Sequence, residues 1–93
     1  MPTATFNGVV LARSDATEVV EGNHYFPPDS VNWDYFSKTE HSTHCPWKGD
    51  ASYYTVSAAG ETKENVAWQY EDPFEKATHI TEYVAFYPAV TVG

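Results

Sequence analysis

The stretch Thr5-Phe6-Asn7-Gly8-Val9-Val10-Leu11-Ala12, TFNGVVLA, places Asn-Gly between two short apolar runs. Both central residues tolerate the positive φ that a two-residue hairpin turn demands, so the sequence predicts two antiparallel strands here. The pattern recurs downstream. Glu18–Glu21 and His24–Phe26 flank Gly22-Asn23, a second predicted hairpin, and Pro27-Pro28 ends its outgoing strand. Residues 51–57 alternate with aromatics on both faces, Tyr53 on one and Tyr54 with Val56 on the other, the mark of a strand covered on both sides. Ala58-Ala59-Gly60-Glu61 then turns the chain into a strand over 64–70, in which Val66, Trp68 and Tyr70 share the inward face.

Short turn-bounded strands at this spacing are those of an all-β domain and not of βα units. Two helical turns complete the expectation. Asp29 or Ser30 caps one across 31–36, and Pro73 opens the other across 74–80. A last strand follows over 81–87, with Tyr83, Ala85 and Tyr87 opposite Val84 and Phe86. No repeat, linker or low-complexity segment divides the chain, so residues 1–93 read as one domain.

Apolar residues make up 42% and charged residues 19%, which suits a packed core. A core this small draws on three tryptophans, seven tyrosines and five phenylalanines, each able to bury roughly 150 to 250 Å². Thirteen acidic residues against five basic ones give a net charge of -8. That charge repels a phosphate backbone, so nucleic acid is not an expected partner. No stretch approaches the roughly 20 apolar residues of a membrane span, and the first residues carry no cleavage-site pattern, so a cytoplasmic protein without a membrane partner is expected. A single cysteine forms no internal disulfide, in keeping with a reducing compartment.

The chemistry-bearing residues gather in His41-Ser42-Thr43-His44-Cys45-Pro46-Trp47-Lys48-Gly49. Cys45 is the candidate catalytic residue, a nucleophile or redox thiol whose pKa a neighbouring Lys48 or histidine would lower. Its other reading is a small, buried, slow thiol at a strand end. In an extended chain His44 and Cys45 point to opposite faces, and His41 lies about 13 Å along the same face, so neither histidine is a natural base. His41, His44 and Cys45 lack the second ligand pair of a structural zinc site, so no metal and no cofactor are expected. Lys48-Gly49 lacks the glycine-rich approach and the following Ser or Thr of a phosphate loop. Lys48 either carries its charge to solvent along its apolar stem or, if it lies in a pocket, binds or orients an anion. Glu40, Glu64 and Glu82 are candidate acids or bases that nothing in the sequence pairs.

Most aromatics are core, yet tryptophan and tyrosine faces also recognise planar or cationic groups. The leading functional expectation is a non-hydrolytic binding module for a small planar or anionic ligand in an aromatic recess. Trp47, Tyr54, Trp68 and Tyr70 would line it, with Lys48 as charge partner. The alternatives are an enzyme built on Cys45, and a structural or oligomerising protein whose edge strands pair between chains; the sequence does not set the oligomeric state.

The segments VVEGNHYFPPDSV, CPWKGDASYY, AWQYEDP and ITEYVAFYPAVTV, which together span nearly the whole chain, resemble the family catalogued as domain of unknown function four-two-seven. CPWKGDASYY is similar to that family's Cys-Pro-aromatic-Lys-Gly-x-Ala-x-Tyr-Tyr pattern, with no departure at those positions. The resemblance implies a mainly β domain of coiled antiparallel sheets meeting at an angle, like the Mss4-like or β-tent group. Many members of that group carry a four-cysteine zinc site, which a chain with one cysteine does not build. The family also bears a nucleotidyltransferase-like label. This sequence lacks the Gly-Ser turn and the Asp-x-Asp pair that hold catalytic magnesium, and shared fold transfers no activity.

Overall fold

Asn7 and Gly8 take φ of 49° and 79°, the paired positive values of a type I′ turn, and join β1 (Thr3–Phe6) to β2 (Val9–Arg13). The computed structural model describes residues 1–93. The same turn geometry recurs at Ala59-Gly60, between β6 (Gly49–Ala58) and β7 (Glu61–Gln69). It recurs again at Glu21-Gly22, between β3 (Glu18–Val20) and β4 (Asn23–Tyr25). This last turn sits one residue earlier than the expected Gly22-Asn23. Glu21 takes the left-handed φ of 54°, where asparagine or glycine is the usual occupant, and Asn23 becomes a strand residue.

The remaining strands are β5 (Phe36–Cys45), β8 (Val84–Phe86) and β9 (Thr91–Val92). All sheets are antiparallel. They comprise a four-stranded β5-β6-β7-β8 sheet, a three-stranded β2-β1-β9 sheet and the β3-β4 hairpin. The fold is thus mainly β, as the hairpin signals predict, and no helix is long and apolar enough to cross a membrane.

Strand β6, inside the four-stranded sheet, is buried on both faces. Tyr54, Val56 and Ala58 of β6 join a core shared with Phe6, Leu11 and Phe26, while Ala51 and Tyr53 join a second core with Tyr25 and Ile80. The expected two-sided burial of this strand is therefore present. On β7 the single inward face does not hold. Val66 and Ala67 pack into the first core, and Trp68 and, just past the strand end, Tyr70 into the second. A register shift between Tyr54 and Val56 and the positive φ of Asn65 (54°) break the alternation just before Val66. Thr39 fills that irregularity, donating its hydroxyl to Asn65 Oδ1 at 2.6 Å. Gln69 is buried and satisfied at both ends of its amide. Its Oε1 accepts from Tyr54 OH at 2.7 Å, and its Nε2 donates to the Glu82 carbonyl at 2.7 Å.

The helical turn expected over 31–36 is instead two 3-10 turns, Pro28–Ser30 and Trp33–Tyr35. Between them Val31 bridges Ala12, and Asn32 N–H donates to the Leu11 carbonyl at 2.8 Å. Pairing with β2 thus claims the residues that would have continued a helix. Asn32, not Asp29 or Ser30, supplies the side-chain cap, its Oδ1 accepting from Asp34 N–H at 3.4 Å. The second expected turn is present as a 3-10 segment, Glu75–Ile80. The last predicted strand shrinks to Val84–Phe86 because Tyr83 N–H bonds the Ile80 carbonyl and Glu82 takes φ of 65°. Strand β5 is an edge strand, largely exposed, carrying Lys38 and Glu40 and interrupted by a register shift between Lys38 and Ser42. Charge and bulging of this kind discourage edge-to-edge pairing.

Candidate functional site

Pro46, Trp47 and Lys48 form the turn between β5 and β6, closed by the Cys45–Gly49 pair. Gly49 takes φ of 117°, a backbone conformation that residues with a side chain rarely adopt. The turn is docked as well as tight, since Phe74 N–H donates to the Lys48 carbonyl at 2.9 Å. This docking turns the Lys48 side chain inward, where it is only 6% exposed.

Lys48 Nζ donates to the Glu21 carboxylate and sits 5.5 Å from the Trp47 ring centroid and 5.3 Å from that of Tyr70. Two aromatic faces and one carboxylate thus neutralise a desolvated ammonium. Burial alone would push the Lys48 pKa down. The hydrogen bond that Lys48 donates to Glu21, aided by the surrounding groups, outweighs it and holds the pKa above the ordinary lysine value, so the side chain stays cationic. The hydrogen bond from Lys48 in turn holds Glu21 below the ordinary carboxylate range. The Glu21 side chain is 53% exposed, and burial pushes the Tyr70 hydroxyl up although Lys48 opposes it. The ion pair also accounts for a glutamate at a left-handed position: Glu21 is the turn residue whose carboxylate reaches Lys48.

From Lys48 an aromatic belt runs along the second core. Trp68 Nε1 donates to Tyr25 OH at 3.0 Å, and the two rings meet edge to face at 6.2 Å. Trp68 meets Tyr87 at 4.7 Å, and Tyr87 lies nearly parallel to Tyr53 at 15° and 6.4 Å. The Tyr53 and Tyr87 hydroxyls are 3.4 Å apart, and Thr43 Oγ1 is 2.9 Å from Tyr53 OH. The hydrogen bond with Tyr53, together with burial, raises the Tyr87 pKa to about 12. Tyr87 and Trp47 are the exposed ends of the belt, at 44% and 38%.

Lys48, Trp47 and Tyr70 are therefore one cluster, with Trp68 further along the same face. Tyr54 stands apart on the opposite face, packed against Trp33 and Phe36 at 5.3 and 6.0 Å. Its hydroxyl is spent on Gln69 and its pKa is raised by burial. Cys45 is half-buried at the rim of the second core, not fully covered, because it ends an edge strand. His44 faces away, 2.7 Å from Asp50 Oδ1, and His41 packs on the Tyr53 ring at 4.5 Å. The Lys48 cluster lines no cavity. A cleft of ≈ 390 Å³ lies elsewhere, between Gly22–His24 and the segment from Phe86 to Val92.

Sequence reasoning missed Glu21, Tyr25 and Tyr87 as partners of this cluster. Glu21 carried one signal, a glutamate directly before a turn glycine where asparagine or aspartate is the usual choice.

A family model described as Domain of unknown function (DUF427) matches residues 3–92. The chain belongs to the DUF427 family. CPWKGDASYY, on which the resemblance rested, is in this DUF427 domain the docked turn carrying Lys48 together with the first half of β6. No curated protein matches the DUF427 chain in a sequence search.

Proposed function

We propose that the domain is a non-catalytic binding module whose ligand is a small planar anion seated at Lys48. The observation that supports this is a buried lysine ammonium between two aromatic rings whose only carboxylate partner is half-exposed and borne on a hairpin tip. A ligand carboxylate replaces Glu21 on Nζ, and its planar body lies against the exposed Trp47 face. Tyr70 and, through Tyr25, Trp68 form the rigid backing of that seat, while Tyr54 serves the core. The competing Cys45 chemistry gains no support, because each motif histidine is engaged with another residue.

Glu21 acts as an internal competitor, so benzoate is a suitable probe. Benzoate is expected to shift the backbone amide of Lys48 and the indole N–H of Trp47 in NMR spectra of the whole chain. Glu21→Gln is expected to tighten binding about tenfold, Lys48→Met to abolish it, and neutral benzamide to bind far more weakly. Binding unchanged by Lys48→Met, or weakened by Glu21→Gln, would overturn the proposal.

A further inference from the structure

The ≈ 390 Å³ cleft lies where three strands stop pairing, and it shares no residue with the Lys48 cluster. In β4 the alternation of the ladder is fixed by its two-residue turn. Val20 and Asn23 form the closing hydrogen-bonded pair, so His24 turns its N–H and C=O away from β3. Phe26 has the same orientation and uses it: Phe26 N–H donates to the Val84 carbonyl at 2.8 Å, and Val84 N–H returns the bond at 2.9 Å. The next pair in that register would be His24 with Phe86. The bridge does not continue to it; Phe26–Val84 is isolated, and both His24 and Phe86 line the cleft.

The opposite wall repeats the pattern. Thr3 and Gly93 exchange both hydrogen bonds at 3.0 Å, so Val92, one residue earlier and itself lining the cleft, points its N–H and C=O away from β1. The edge strand β9 and the edge strand β4 thus present their free backbone groups to one shared gap.

We infer that this cleft is a vacant strand position that takes a short extended peptide segment of a partner protein. The seated residues pair with His24 on one side and Val92 on the other, joining the β2-β1-β9 sheet to the β3-β4 hairpin. Side chains narrow the class. The lining residues Asn23, His24, Phe86, Pro88, Val90 and Thr91 include no carboxylate, ammonium or guanidinium, so the seated residues are uncharged. The net charge of -8 selects against an acidic flank and favours a basic one. The volume is that of a small-ligand site, matching a few residues and not a long strand.

The probe is the peptide acetyl-Lys-Val-Ala-Val-Lys-amide, titrated into isotope-labelled protein and followed by NMR. Saturable shifts are expected at the amides of His24, Phe86 and Val92, with the Trp47 indole and the Lys48 amide unmoved. Methylating the central backbone nitrogen of the peptide is expected to weaken binding about tenfold, and replacing both lysines with glutamate to weaken it in a way that high salt removes. Val92→Pro deletes an N–H that β1 does not use, so the variant keeps the native spectrum elsewhere and is expected to bind roughly tenfold more weakly. Absence of saturable shifts at these amides, or equal binding of the methylated peptide, would overturn the inference.

Discussion

Removing Lys48 and removing Glu21 destroy the same ion pair, yet the structure predicts unequal costs. Lys48→Met keeps an unbranched apolar stem between Trp47 and Tyr70 and takes away the buried ammonium. The orphaned Glu21 carboxylate, already 53% exposed, is then solvated where it stands. Replacing a buried charge by an apolar group of similar size is often neutral or stabilising, so the expected change is within about 1 kcal/mol of zero. Glu21→Ala instead strands an ammonium that is 6% exposed. Breaking a fully buried pair costs about 3 to 5 kcal/mol. Because Glu21 is half in water, and water can take its place beside Nζ, that figure is discounted here to about 2 kcal/mol. Urea unfolding reads the difference. With a slope of about 1 kcal/mol per molar for a domain this small, the midpoint falls about 2 M for Glu21→Ala and shifts by less than about 1 M, in either direction, for Lys48→Met. Glu21→Gln, which keeps an acceptor oxygen, falls between the two. Midpoints lowered equally by the two substitutions, or lowered more by Lys48→Met, would refute this account of Lys48 as a desolvated charge dependent on a half-exposed partner.

Stability should form a plateau with losses on both sides. Glu21 and Glu71 lie below their ordinary value of 4.5, through their hydrogen bonds to Lys48 and to Lys38, so their contribution is present above that value and is lost as pH falls through the lowered pKa. Lys48 lies above its ordinary 10.5 and Tyr87 above its ordinary 10.0, so their contributions are present below those values and vanish as pH rises through the raised ones. Unfolding midpoints measured across pH should show both limbs, with the acid limb shallower in Glu21→Gln. Ala59→Gly should stabilise the domain by about 1 kcal/mol in the same assay, because Ala59 sits at φ of 52° and glycine takes that conformation without steric cost.

The hairpins were readable because their determinants are local. Asn7-Gly8 and Ala59-Gly60 encode their turns within two residues, and the double-faced apolar pattern of residues 51–57 announces burial on both sides. Where strand pairing competed with local preference, the sequence was a poorer guide. Val31 reads as part of a helical turn until its bridge to Ala12 is known, and the alternation of β7 misleads because the irregularity at Asn65 is stabilised by Thr39, twenty-six residues away. Lys48 could be singled out from its neighbours in the chain, as a rare cation in an acidic, aromatic stretch. Its burial and its pairing could not, because Glu21 lies twenty-seven residues upstream and only the packing of the β3-β4 hairpin against the second core brings the two together. The same packing leaves His24 and Val92 facing one gap. A ladder's alternation is local, but which edges it leaves free depends on how separate sheets meet.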